Sequence, residues 1–416
     1  MLFVLYCCIL GGMIVKKVIC MLLCAGLLLS VLPPSAVFAG SAGADVPVLT
    51  IARRPVPDNA AMDFLKDMGV GWNLGNTFDA VKGDWNRNAD EMTVETSWVG
   101  VRTTREIFAA LREAGYGTVR IPVSWHDHVS GDSYTISARW LDRVQEVVDW
   151  ALEEDLYVIL NIHHDEDWFL PSSAHYEESS RYVGGIWEQL SARFRDYDQK
   201  LIFESMNEPR LVGSRYEWNF DRNSPECLDA ADCLNRLNQL FVDTVRASGG
   251  NNAGRYLMVP GYDASPAGAT GDHFVLPADS AENRIIVSVH AYTPYSFALQ
   301  QGGTHSFGST AQKQEIAVFM NSLYDRYITR GVPVVIGEFG AMDKQGNLQD
   351  RVDFTAFYTA TASARNIPCI WWDNGAFAGN GEIFGILDRT RAQFIYPEIV
   401  QAMITYGGYD TLSDPQ

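Results

Sequence analysis

Eight short apolar segments recur along the chain, most gaps between them carry an amphipathic helix signal, and polar residues gather where the apolar segments end. Together these predict a (β/α)8 TIM barrel built as a single domain. The strands are expected at 71–76, 118–124, 157–164, 201–208, 256–262, 285–292, 333–339 and 367–373. Their near-continuous apolar character is that of parallel strands buried on both faces.

The first helix is expected over 58–68, with an acidic start. Thr103-Thr104-Arg105-Glu106 reads as a capping box opening a helix that ends at Gly115. Ser137 is expected to cap 138–154, where Trp140, Leu141, Val144, Val147, Val148 and Ala151 fall at helical spacing. Helices follow at 182–194, 228–247, 311–329, 349–363 and 395–406, whereas 262–285 reads as loop. No low-complexity linker interrupts 58–412, which is read as one catalytic domain. Residues 40–57 carry Gly, Ala and Pro without a period and read as a lead-in.

The start of the chain is read as targeting rather than fold. Lys16-Lys17, the apolar run 18–32 and the Val37-Phe38-Ala39 site form a secretory signal over 1–39. Met1–Gly12 either belongs to it or is an upstream mis-start ahead of Met13. The expected location is therefore extracytoplasmic. Loss of the signal, with two lysines and no acid, takes the net charge from −19 to −21. So acidic a surface argues against nucleic acid or a stable membrane partner and suits a neutral substrate. Cys227 and Cys233 would bracket a polar loop that export allows to be bridged, with two free thiols the open alternative. Cys369 reads as inert core.

Two of the polar strand ends are alike. Leu201–Glu208 ends in Asn207-Glu208-Pro209, and Pro333–Phe339 contains Glu338, 130 residues later. Two carboxylates delivered to one barrel mouth suit glycoside hydrolysis, one protonating the leaving oxygen and the other attacking the anomeric carbon. Arg120, within an apolar strand, needs a buried partner, and an ionised nucleophile would be one. Asn76, Asn207, His163 and His164 are candidate hydrogen-bonding groups. His290 and Tyr292 share a strand face, and the Tyr292 hydroxyl could orient the nucleophile. One of Trp371-Trp372 should face the centre, while Trp85 and Trp98 could form a platform in the loop after the first strand. His163-His164 lacks the spacing of a catalytic metal site, so no metal and no cofactor are expected.

These segments resemble glycoside hydrolase family 5. They are Gly71–Thr77, Val119–Pro122, Asn161–His164, Asn207–Arg210, Val289–Tyr292, Ile336–Gly340 and Trp371–Gly375, in that order. The chain is most similar to the bacterial endoglucanase branch numbered subfamily 4. The resemblance implies a retaining mechanism, with Glu208 as acid/base and Glu338 as nucleophile. It also implies supporting roles for Arg120, His163, Asn207, His290, Tyr292 and Trp372. The expected partner is a β-glucan (cellulose-type, mixed-linkage or xyloglucan), and a monomer is expected. An endo-β-mannanase of the same family and a non-catalytic glycan-binding barrel are the alternatives. One departure stands out: Glu95–Val101 replaces the Trp-Gly-Asn-Pro expected of this branch, which unsettles the glycone-side contacts of that loop.

Overall fold

The computed structural model describes residues 43–414, and the signal reading of 1–39 lies outside them. Eight parallel strands close into a barrel: β1 (Gly71–Leu74), β2 (Thr118–Ile121), β3 (Tyr157–Asn161), β4 (Leu201–Glu204), β5 (Leu257–Pro260), β6 (Ile285–His290), β7 (Val334–Phe339) and β8 (Cys369–Asp373). Each pairs with its sequence neighbour, and β8 returns to β1. All eight expected strands are present and every strand residue is buried.

The strands are shorter than their apolar patterns suggest. β2, β3 and β4 stop at Ile121, Asn161 and Glu204, so His163, His164, Asn207 and Glu208 stand in loops beyond the ladder. Glu208 is thus not a strand tip as expected. Strand hydrogen bonding ends four residues earlier, at a different carboxylate, Glu204. His290 and Glu338 do lie within strands. The register shifts between Val289 and His290 so that His290 pairs with Glu338, an irregularity of the kind that re-aims side chains at active sites.

The helices are α1 (Ala60–Met68), α2 (Arg105–Ala114), α3 (Ala138–Glu153), α4 (Tyr176–Arg193), α5 (Pro225–Ala247), α6 (Pro266–Thr270), α7 (Tyr295–Ala298), α8 (Thr310–Arg326), α9 (Leu348–Ser363) and α10 (Pro397–Tyr406). Helix α6 lies where only loop was expected, opened by Ser265, whose side chain accepts from Gly268 N. The anticipated α2 capping box does not form. The Thr103 amide donates to Glu95 Oε1 and its carbonyl accepts from Arg143, so Thr104 takes the cap position without a side-chain bond. Ser137 likewise donates to Glu91 Oε1 instead of capping α3. A true capping box, Ser309 with Gln312, opens α8.

From residue 43 onward the lead-in belongs to the domain. The Leu49 amide donates to Tyr406 Oη, the Tyr324 hydroxyl to the Pro55 carbonyl and the Arg53 amide to the Ser413 carbonyl. Among the described residues no helix is long and apolar enough to cross a membrane.

The possible Cys227–Cys233 bridge is absent, because both residues sit on α5 rather than in a loop. Six residues of helix separate them by about 9 Å of rise and about 240° of rotation, whereas a disulfide needs Cα atoms within about 7 Å. Cys369 is buried, and burial pushes its thiol up to about 12. Alkylation of the denatured, unreduced protein should therefore label Cys227, Cys233 and Cys369 alike. Peptide mapping that finds Cys227 and Cys233 protected until reductant is added would contradict the helical placement.

Candidate active site

Four polar side chains at the mouth of the barrel are arranged about one buried cation. Arg120, on β2, is fully buried. Its Nε donates to Glu204 Oε2 at 2.7 Å and its Nη1 to Glu338 Oε1 at 2.7 Å and Asn73 Oδ1 at 3.0 Å. Its Nη2 donates to Asn207 Oδ1 at 2.8 Å. Burial alone would make the guanidinium more acidic, but the Glu204 and Glu338 charges outweigh it and hold the proton more tightly than usual. The expected Arg120–Glu338 pair is present. The sequence reading missed that Glu204 is its second carboxylate. Glu204 also accepts from Asn161 Nδ2 at 3.1 Å and Ser288 Oγ at 2.6 Å, so a buried charge is fully hydrogen-bonded.

Glu338 reaches the mouth with both oxygens fixed. Arg120 holds Oε1, and the Tyr292 hydroxyl donates to Oε2 at 2.8 Å. Burial, then the Glu338 charge, keeps the Tyr292 phenol protonated far above its ordinary range, so it acts as a donor. Across the pocket, His290 Nδ1 lies 2.9 Å from Glu208 Oε1 and 3.7 Å from Glu338 Oε1. One ligand-type atom from each of Glu208, His290 and Glu338 falls within 4.8 Å of the other two.

The electrostatics of Glu208 run against the raised carboxyl ordinarily expected of a general acid. Burial alone would raise it, but the hydrogen bond and charge of His290, followed by Arg210, hold it below the usual carboxylate range. For His290, burial is outweighed by the Glu338 charge and the Glu208 bond, and the imidazole is raised. The two titrate as one unit, and its proton resides toward the imidazole.

His163 is buried, and burial with the nearby His164 and Arg120 charges keeps it neutral. Its Nδ1 accepts from Asn161 Nδ2 at 3.1 Å. Its ring is parallel to Trp372, 4° apart in plane with centroids 5.8 Å apart. His164 turns aside, with Nδ1 3.7 Å from Glu166 Oε1 and its ring 5.9 Å from that of Trp98, which is 42% exposed. Trp85 is 71% exposed. Trp371 is core, its indole donating to the Phe384 carbonyl. Asn76 stands outside the carboxylate network, at a φ of 57° in a turn where its amide donates to Asp79 Oδ2.

The divergent loop is anchored from below. Glu95 is buried and accepts from Arg143 Nη2 at 2.7 Å. Val99 and Val101 line a cavity of about 390 Å³ with Gly375, Phe377 and Tyr396.

Two clusters bring three metal-type donors within 4.8 Å: Asp79 with His163 and His164, and Glu208 with His290 and Glu338. In both, protein groups already occupy donor atoms. Asp79 accepts from the amides of Asn76 and Thr77, and Glu338 from Arg120 and Tyr292.

The missed residues Asn73, Asn161, Glu204 and Ser288 share one signal: a polar side chain inside an otherwise apolar strand, as with Arg120.

Residues 84–378 match the family described as Cellulase (glycosyl hydrolase family 5). The chain belongs to glycoside hydrolase family 5. It is 41% identical over 356 residues to Endoglucanase 1 of Ruminococcus albus, covering 85% of this chain and 83% of that protein. A family 5 lichenase from Caldicellulosiruptor sp. F32, solved with cellotetraose, is 53% identical with a TM-score of 0.86, covering 88% of this chain and 100% of that one. A GH5-4 broad specificity endoglucanase from Ruminococcus champanellensis, solved with cellotriose, is 42% identical with a TM-score of 0.79, covering 84% and 100%. Against a longer relative, a cellulase/esterase of Acetivibrio thermocellus at 39% identity, the alignment covers 88% of this chain and 43% of that protein. As a family 5 member this chain is a glycoside hydrolase, and its barrel is the one the family's solved structures share.

Two consequences are measurable. Glu204→Gln removes one of two charges facing Arg120 and should destabilise the fold by about 3 kcal/mol, as when a buried ion pair is broken on one side; thermal unfolding reads this directly. His290→Asn leaves Glu208 to hold the proton alone as a carboxyl. Removing the bond and charge that hold Glu208 low lets burial raise its carboxyl, so the alkaline limb of the kcat/KM–pH profile should move and report a single buried carboxyl in place of the shared pair. An unmoved limb would mean that His290 does not share the proton.

Proposed function

We propose that this chain is a secreted, retaining endo-β-1,4-glucanase in which Glu338 is the nucleophile and Glu208 the acid/base. The observation that carries the reading is the approach of the two carboxylates, an oxygen of each within 4.8 Å of the other. Retention needs carboxyl groups about 5–5.5 Å apart, and inversion about 6.5–9.5 Å to admit a water.

In the first step a Glu338 oxygen attacks the anomeric carbon as its bond to the leaving oxygen breaks, and that oxygen takes a proton from Glu208. The proton comes from the shared His290–Glu208 pair. Glu338 is then an ester, and its charge no longer acts on the pair. In the second step Glu208 takes a proton from water, the water oxygen bonds to the anomeric carbon, and Glu338 departs as a carboxylate. Arg120 and the Tyr292 hydroxyl serve the nucleophile throughout, each donating to one of its oxygens and so fixing its orientation. Asn207, held by Arg120, is placed to hydrogen-bond a hydroxyl of the sugar being attacked. Trp372 and Trp98 offer flat apolar faces to pyranose rings.

A neutral β-linked glucan suits the acidic chain and the aromatic mouth. The family relatives named for endoglucanase, lichenase and xyloglucan-specific activity support that substrate range. The N-terminal signal pattern supports export. The enzyme works as a monomer on this reading.

Early products from cellotetraose, followed by NMR, should carry the β-anomer first. Glu338→Gln should lose turnover, and Glu338→Gly should regain it with azide on an activated aryl glycoside. An α-anomer appearing first would overturn the nucleophile assignment. Release from carboxymethylcellulose, mixed-linkage glucan and xyloglucan, with none from mannan, is the expected substrate pattern.

A further inference from the structure

Arg210, which the catalytic scheme leaves unused, joins Glu208 to an exposed aromatic. Its Nη1 donates to the Glu208 carbonyl at 2.8 Å and to Glu166 Oε1 at 3.1 Å, and its Nε donates to Glu217 Oε1 at 3.4 Å. The guanidinium lies over the Trp218 ring, 4.1 Å from the centroid. Arg210 is 12% exposed, whereas Trp218 is 55% exposed. A large indole is thus kept in solvent while its underside is pinned by a cation.

Both residues lie in the loop that leaves β4. A general acid protonates the leaving oxygen, so the departing sugar lies beside Glu208 and the loop that carries it. Trp218 lies ten residues after Glu208 in that loop, is joined to it through Arg210, and is more than half exposed. Cation–π contact fixes the ring plane, and a pyranose can stack on the open face. The loop is stiffened further where the Gly213 amide donates to Glu217 Oε2 at 3.0 Å and the Asp263 amide to the Pro209 carbonyl at 2.9 Å.

We propose that Trp218 is a stacking platform for a sugar on the leaving-group side, and that Arg210 is a positioning residue coupling its occupancy to Glu208. The inference rests on Glu208 being the acid/base. A sugar seated on Trp218 presses on the Arg210 guanidinium, which holds the Glu208 backbone. Binding energy from a remote sugar is thereby turned into alignment of the acid with the leaving oxygen. The guanidinium also adds positive charge beside the His290–Glu208 pair, which is faced by Glu338, Glu204 and Arg120 on the His290 side and by Glu166, His164, Asp263 and Glu382 on the Glu208 side.

The test compares kcat/KM on cellopentaose with that on 2,4-dinitrophenyl β-cellobioside, whose departure needs no proton and which places no sugar on the leaving side. Arg210→Ala should lower the cellopentaose value by about 10- to 100-fold, part of what general-acid catalysis contributes, and change the aryl value by less than about 3-fold. Its alkaline limb should move to higher pH, because a cation that favours the deprotonated pair is gone. Trp218→Ala alters only an exposed ring, so it keeps the test open if Arg210→Ala fails to fold. It should lower the cellopentaose value, shift the position of cleavage along the chain, and spare the aryl substrate. In the Arg210→Lys background, which keeps the charge but not the flat stack, the Trp218→Ala effect should shrink by at least about 3-fold, the mark of coupled residues. Additive effects, or equal losses on both substrates, would overturn the proposal. Glu208→Ala run alongside separates the two levels. If it fails to discriminate between the substrates, the acid/base assignment falls; if it discriminates and Arg210 and Trp218 do not, only the coupling falls.

Discussion

The arrangement depends on the burial of the Arg120 charge. A guanidinium inside a barrel must be matched by carboxylates and hydrogen-bond acceptors or the fold loses several kcal/mol. Here the match comes from strands all around the barrel: Asn73 on β1, Glu204 on β4 and Glu338 on β7, with Asn207 just beyond β4. Glu204 is in turn completed by Asn161 on β3 and Ser288 on β6. Six strands therefore share one electrostatic constraint. The group that satisfies it at the open end is the carboxylate proposed to attack the substrate. The orientation of that carboxylate follows from the same contact that makes Arg120 tolerable.

The opposite carboxylate lives under a different constraint. Glu208 has no buried cation of its own to saturate it. It has His290, a group that can hold or give up a proton near neutral pH. A permanent charge opposite one acid and a titratable one opposite the other separates the two roles. The loop origin of Glu208 fits this. A strand residue is locked by its ladder, whereas a loop residue needs anchors, and Arg210 supplies one at its carbonyl.

Much of this was legible in the residues. The eight strands and most helices followed from apolar patterning, and Glu208, Glu338, Arg120, His290 and Tyr292 were recognisable as polar groups ending or interrupting apolar runs. Less legible were the points where a side chain had two possible partners. Thr103 and Ser137 carry good capping chemistry, yet Glu95 and Glu91, brought in by a distant loop, claim their backbone or hydroxyl first. Cys227 and Cys233 read as the ends of a loop although the helix expected over 228–247 already holds Cys233; α5 starts at Pro225, ahead of both.

By itself the sequence determined the barrel, its strand order and that Glu208 and Glu338 meet at one mouth, because each of these is set by local pattern: apolar runs bury, and polar residues stop them. Only the tertiary structure decided where the strands end, that Glu204 shares the Arg120 charge, and in which direction Glu208 is shifted. Those depend on distances between groups far apart in the chain, such as the 2.9 Å from His290 to Glu208. No periodicity in the residues encodes such a distance. Electrostatic energy varies with separation and burial, and both exist only once the barrel has closed.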